Sequence, residues 1–234
     1  MKIDILGVKI ANLTMDETLE TVEDFLLDGK QYYIVLLYSE FIVRARKDEK
    51  FRKILNEADL SLCESRGLYF ALRFLDVLVK EEINGVELIY KICGKSQNKI
   101  FLLGGKEGIA ERVKEKLEGN IVGAEHGYQD LDRVIEKINQ IKPDILFVGL
   151  GSPKQEKWIY ENLKKMPSVK VAIGVGGAFD FISGRIKRAP KFIQKIGLEW
   201  LWRLILQPWR IKRIYNGVVG LVLLTLKLKI KNKN

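Results

Sequence analysis

Chemistry in this chain would have to come from glycine-rich turns and isolated carboxylates. Leu103-Gly104-Gly105-Lys106, Val148-Gly149-Leu150-Gly151-Ser152-Pro153-Lys154-Gln155 and Val175-Gly176-Gly177-Ala178 each follow an apolar run and open a helical pattern. Glycine lets the backbone approach a ligand closely, and helix N-terminal amides favour an anion such as a diphosphate. Three such turns together point to a nucleotide-type ligand. One acid stands out, Glu64 in Cys63-Glu64-Ser65-Arg66-Gly67, because it also follows a short apolar run. A cleft carboxylate can act as general base when it lies within reach of the hydroxyl it deprotonates. A surface or structural acid is the alternative.

Other patterns carry less. Gly104-Gly105-x-x-Gly108, with Glu125 twenty residues beyond Gly105, only partly matches a dinucleotide fingerprint, whose first glycine is missing. Asp130-Leu131-Asp132 has the form of a metal-binding D-x-D, but it directly precedes a helical pattern, where acids cap amides. Cys63 and Cys93 read as reduced, partly buried thiols. The single histidine, His126, argues against histidine-rich metal sites. No metal and no cofactor are expected.

The elements that must position these residues alternate. Thr14-Met15-Asp16-Glu17 is a capping box opening a helix to about Leu27. Tyr32–Tyr38 reads as a buried strand, followed by a helical stretch from Ser39 to about Ala58. Leu60–Leu62 is a short strand before helical patterns through Leu75 and from Asn84 to Ile92. Strands at Lys99–Leu103, Ile121–Ala124, Asp144–Val148 and Val169–Val175 then alternate with helices at Glu107–Leu117, Asp130–Ile141 and Lys154–Lys165. This rhythm predicts an α/β fold, a Rossmann-like mostly parallel sheet with helices on both faces. Ligands of such sheets bind at the carboxyl ends of the strands.

The net charge of the 234 residues is +10, and it is concentrated at one end. From Arg185 to Asn234 there are 13 Lys/Arg and one acid, Glu199; the preceding residues are nearly neutral. Trp200, Trp202 and Trp209 lie among Arg203, Arg210 and Arg213, and Pro208 is expected to split the segment into two short helices. Tryptophan with clustered cations suits an anionic membrane surface. Nucleic acid could use the same charge, but no motif for it is visible and none is expected as a partner. The longest apolar stretch, Val218–Leu226, falls short of the roughly 20 residues that a span requires. The expected division is residues 1–190 as a Rossmann-like nucleotide-binding domain and 191–234 as a basic, Trp/Arg-rich membrane-docking appendage. Such a tail could also pair with copies of itself.

Phe101–Gly105, Val122–Tyr128, Val148–Ile159, Gly174–Pro190 and Gly197–Arg213 together resemble the TagA/WecG/CpsF family of glycosyltransferases. The resemblance implies a metal-independent, inverting transfer of an N-acetylmannosamine-type sugar. The donor would be a UDP-sugar, and the acceptor a sugar on undecaprenyl diphosphate at the cytoplasmic membrane face. It implies that Gly104, Gly105, Gly149 and Gly151 hold UDP, that Tyr128 stacks near uracil and that Gln155 reaches sugar or diphosphate; Gly176 and Gly177 join them as substrate-binding candidates through their own turn. Asp180 would bind the nucleoside side, and Arg203, Arg210 and Arg213 would reach back to the diphosphate. Glu64 stands where the family has a catalytic Asp. Further departures are Leu36 and Tyr38 in a Thr-Pro-Asn segment, Tyr38 remaining a substrate-binding candidate, Glu82 in place of an Arg, and Glu87 in place of an Asp. They imply an altered donor or acceptor, or a binding member without activity.

Overall fold

The computed structural model describes residues 2–196 and 198–231. A hairpin of β1 (Lys2–Ile5) and β2 (Val8–Ala11) comes first, followed by α1 (Met15–Leu27) and β3 (Tyr32–Leu37). Helices α2 (Ser39–Ala45) and α3 (Glu49–Asn56) lead to β4 (Leu60–Cys63), and α4 (Arg66–Phe74) and α5 (Gly85–Lys95) to β5 (Ile100–Gly104). The regular part is α6 (Ile109–Lys116), β6 (Ile121–Glu125), α7 (Leu131–Ile141), β7 (Ile145–Gly149), α8 (Lys154–Asn162) and β8 (Val171–Gly174). The chain closes with α9 (Ala178–Ile182), α10 (Lys191–Lys195), α11 (Glu199–Leu206) and α12 (Ile211–Lys231).

Six strands form one parallel sheet in the order β4-β3-β8-β7-β5-β6. Alternation along each strand sends side chains to two cores. Tyr33, Val35, Leu37, Phe101 and Leu103 join one core, and Ile34, Leu36, Ile100 and Leu102 the other. The first core is covered by residues of α2, α3, α4, α7 and α8, the second by those of α1, α5, α6 and α9. Burial on both faces explains why the strands are almost continuously apolar rather than alternating. The expected α/β architecture is therefore present.

Several local expectations hold at atomic level. The Thr14 hydroxyl accepts from the Glu17 amide at 3.2 Å while Glu17 accepts from the Thr14 amide at 2.8 Å. Asp130 accepts from the Asp132 amide at 3.0 Å, so this acid is a helix cap. The stretch from Ser39 to Ala58 differs from expectation. It is two helices, because Asp48 caps a new start by accepting from Phe51 at 2.9 Å. The β1–β2 hairpin has no sequence forecast behind it. Its turn puts Leu6 and Gly7 at positive φ, and leucine in the first turn position hides the signal that Asn-Gly would give.

The C-terminal segment breaks at Pro208, as expected, with Gln207 held in a non-helical conformation. Only α11 is short, however. Helix α12 runs 21 residues because its small and apolar positions pack on α2 and α4. Gly220 lies over Val43, Gly217 lies over Glu40, and Leu221 and Thr225 are buried. Among the described residues no helix is long and apolar enough to cross a membrane.

Candidate active site

The three glycine turns follow β5, β7 and β8, which are neighbours in the sheet. Their carboxyl ends therefore open side by side into one cleft of about 1010 Å³. Gly105, Gly149, Gly151, Gly176 and Gly177 all line it. Gly104 lies one layer behind. Its φ is +146°, and a Cβ there would stand 2.5 Å from the Gly149 backbone, so only glycine lets the first two turns press together. The amide of Gly105 donates to the Gly149 carbonyl at 3.1 Å.

Gln155 ties the other two turns. Its Oε1 accepts from the Gly151 amide at 3.2 Å and from the Gly176 amide at 3.0 Å. The residue is 1% exposed but still forms part of the cleft wall. Tyr128 stands at the rim with its side chain largely in solvent. Glu125 is engaged elsewhere, with Lys137 and with Gln129 at 2.7 Å.

The opposite wall comes from β3 and β4. Tyr38 follows β3, caps α2 and meets the Phe41 ring edge-on at 4.4 Å. Glu64 follows β4, its amide donating to the Leu37 carbonyl at 2.8 Å, which sets the acid beside Tyr38 in the cleft. Its carboxylate accepts a backbone hydrogen bond from Gly85, at the start of α5. Burial pushes the Glu64 carboxyl up to about 8. Arg203 and the Gly85 amide oppose that rise, while Glu82 and Glu199 add to it. Glu82 is itself pushed up to about 7 by burial, opposed by Arg66, whose Nε lies 3.0 Å away.

The C-terminal segment completes the cleft. Arg203 on α11 lies across Gly177, where a Cβ would come within 2.1 Å of its Nη2. Its guanidinium sits 4.9 Å from the Phe181 ring centroid and 3.9 Å from Asp180, which also pairs with Arg185 at 3.0 Å. Trp200, Ile214, Gly217 and Val218 line the cleft as well. The side chains of Arg210 and Arg213 lie outside the described residues. Among the predicted site residues, Glu64, Tyr38, Tyr128, Gln155, Asp180 and Arg203 thus share one cavity with the glycine turns.

Sequence reasoning missed several charged contributors to this cavity, among them Lys106, Lys154, Arg66 and Glu199. Lys106 and Lys154 stand in the glycine turns and add positive charge, Lys154 bonding the Gly127 carbonyl at 3.3 Å. Arg66 adjoins Glu64 in sequence, and Glu199, the one acid of the basic tail, pairs with Arg188 at 3.4 Å. Each was visible as a charge beside a predicted element, but pairing across the cleft needs the fold. Cys63 and Cys93 are buried free thiols pushed up to about 12 by burial, which suits inert packing rather than nucleophilic chemistry.

A cleft of this kind can hold an anionic ligand against loop amides and guanidinium, and present a proton acceptor opposite it. Comparison with known proteins identifies the family. The Glycosyl transferase WecG/TagA/CpsF family matches residues 3–234. A relative from Staphylococcus aureus (strain MRSA252) is 34% identical over 91% of this chain and 88% of its own length. A second, from Staphylococcus aureus (strain NCTC 8325 / PS 47), is 33% identical over the same shares. Both are named N-acetylglucosaminyldiphosphoundecaprenol N-acetyl-beta-D-mannosaminyltransferase. The chain is a glycosyltransferase and belongs to the WecG/TagA/CpsF family.

Proposed function

We propose that the enzyme transfers an N-acetylmannosamine-type sugar from UDP to N-acetylglucosamine carried on undecaprenyl diphosphate, at the cytoplasmic face of the membrane. The observation that carries this reading is the position of Glu64. It faces the glycine turns across one cleft, with Arg203 between the two walls in charge and in space. The names of the relatives supply the sugar and the lipid-linked acceptor.

UDP lies over the turns after β5, β7 and β8, with uracil toward Tyr128 and the diphosphate toward Gly177 and Arg203. The acceptor hydroxyl approaches from the Glu64 side. Its oxygen forms a bond to the anomeric carbon as the bond from that carbon to the diphosphate oxygen breaks, and the electron pair leaves with UDP. The hydroxyl proton passes to Glu64. Attack from the face opposite the leaving group inverts the anomeric centre. Negative charge building on UDP is met by Arg203, Lys106, Lys154 and loop amides, so that no metal ion is required. A carboxyl near 8 is well matched to this task, since a base with a pKa close to working pH transfers protons most effectively.

The deciding experiment offers a panel of UDP-sugars with a synthetic lipid-diphosphate-linked N-acetylglucosamine acceptor and measures UDP release. We expect turnover with UDP-N-acetylmannosamine, an inverted product by NMR, and rates unchanged by EDTA. Binding of UDP without release from any donor would leave a nucleotide-sugar-binding protein instead.

A further inference from the structure

Two helices lead away from the cleft and leave an apolar seam between them. Helix α4 begins at the cleft wall, where Arg66 and Gly67 line the cavity. Phe70 and Phe74 follow three and seven residues after Gly67, on the same face, and are 55% and 46% exposed. Helix α12 also starts there, with Ile214 and Val218 in the cavity wall. One turn beyond Val218, Val222 is 50% exposed.

The edge of α12 that meets α4 is marked by Lys229. Its Nζ lies 2.8 Å from the Asp76 carboxylate and 4.9 Å from the centroid of the Phe74 ring. Val222 precedes Lys229 by seven residues, so the two lie within about 20° of each other around the helix. Val218, Val222, Phe70 and Phe74 therefore flank one seam that opens at its inner end on the cleft. Arg66 stands at that inner end. Glu82 engages its Nε, yet 40% of the side chain remains exposed.

A cation at the cleft mouth followed by an apolar track is the complement of a polyprenyl diphosphate. Arg66 and Phe74 are separated by about 12 Å along α4, enough for the first isoprene units to lie beside the helix. Bilayer lipid would not account for the pattern, because its headgroups would have to enter the cleft to reach Arg66. The geometry points to a subsite for the acceptor's own polyprenyl diphosphate: Arg66 takes the diphosphate, and Phe70, Phe74, Val218 and Val222 hold the start of the chain. This inference rests on the lipid-linked acceptor proposed above. It adds where that lipid lies, and it runs the chain out between α4 and α12 with its sugar at Glu64.

The test is binding of farnesyl diphosphate, a soluble prenyl diphosphate, by calorimetry without detergent or vesicles, beside inorganic diphosphate. The wild-type enzyme should bind farnesyl diphosphate at least tenfold more tightly. F70S/F74S should erase that margin, and R66Q should weaken both ligands. A benzophenone-bearing farnesyl diphosphate should crosslink within residues 66–78 and 211–231. Equal affinities in the wild type, a margin retained in F70S/F74S, or crosslinks confined to other segments would overturn the subsite. Sugar transfer is scored separately. Transfer without the farnesyl margin rejects the seam alone, and the margin without transfer rejects the glycosyl reading alone.

Discussion

Glu64 is packed against Gly85 so closely that a Cβ on the glycine would stand 2.5 Å from the carboxylate Oε1. The same glycine donates its amide to that carboxylate, so one position both holds and confines the proposed base. Gly85→Ala should therefore push the carboxylate aside, even though alanine suits a helix better than glycine. Displacement of a reacting group by an ångström can cost about 100-fold in rate. We expect kcat to fall by about that factor with UDP affinity unchanged, measured by steady-state kinetics and calorimetry. A variant with wild-type kcat would remove Glu64 from the chemistry.

The raised Glu64 carboxyl makes a paired prediction for activity and stability. Its folded value of about 8 lies above the ordinary 4.5. Below 4.5 the group is protonated in both folded and unfolded chains, so burial carries no ionisation penalty. Between 4.5 and 8 only the unfolded chain ionises, and stability falls as pH rises; above 8 the loss is complete. Glu64→Gln cannot ionise, so its melting temperature should gain on the wild type by several degrees between pH 5 and pH 9. One kcal/mol corresponds to about 2–4 °C in a chain of this size. Turnover should fall by about 10²–10⁴, the usual contribution of a general base. A constant difference in melting temperature across that range would contradict the buried carboxyl.

Arg203 lowers the Glu64 value and lies across Gly177, on the side of the cleft proposed for the diphosphate. Arg203→Ala should accordingly do two things. The acid limb of kcat/KM should move to higher pH, because the attraction favouring the Glu64 carboxylate is gone. Turnover at saturating donor should drop by about 10²–10³, as when one preorganised charge or donor at a leaving group is lost. A pH profile that stays in place while the rate falls would separate Arg203 from Glu64 and leave it only the leaving group.

Gln155 gives a prediction about the loops rather than the reaction. Its side chain holds the Gly151 and Gly176 amides together, and it is almost fully buried. Gln155→Leu would leave those amides without that acceptor, at a cost of about 1–3 kcal/mol. Thermal melting should show the loss directly. UDP affinity should weaken as the two turns separate, and added UDP should recover part of the melting temperature. A stable variant that fails only in turnover would make Gln155 a ligand contact instead.

Much of this arrangement was legible in the sequence because it depends on local patterns. Continuous apolar runs at Tyr32–Leu37 and Ile145–Gly149 gave away doubly covered strands, and glycines after three runs marked the strand ends that open into the cleft. Glu64 could be singled out because it follows a short strand. What stayed hidden depends on distant pairing. Nothing near Arg66 indicates that Glu82 will meet it, since the pair forms only when α4 and α5 both start at the cleft. The length of α12 was hidden as well, because its small residues acquire meaning only against Val43 and Glu40.

The C-terminal helices carry an exposed apolar rim. Trp209 and Ile205 are 73% and 67% exposed, beside a segment rich in lysine and arginine. Leu221, by contrast, is buried against the body, so deleting the segment would confuse docking with folding. Point substitutions avoid that difficulty. W209S/I205S should lower co-sedimentation with phosphatidylglycerol-containing vesicles several-fold while the melting temperature stays within about 2 °C, because neither side chain is part of the core. Binding should also weaken with added salt, since the lysines and arginines act through a screened surface potential. Vesicle binding indifferent to both changes would show that this rim is not the membrane-facing side.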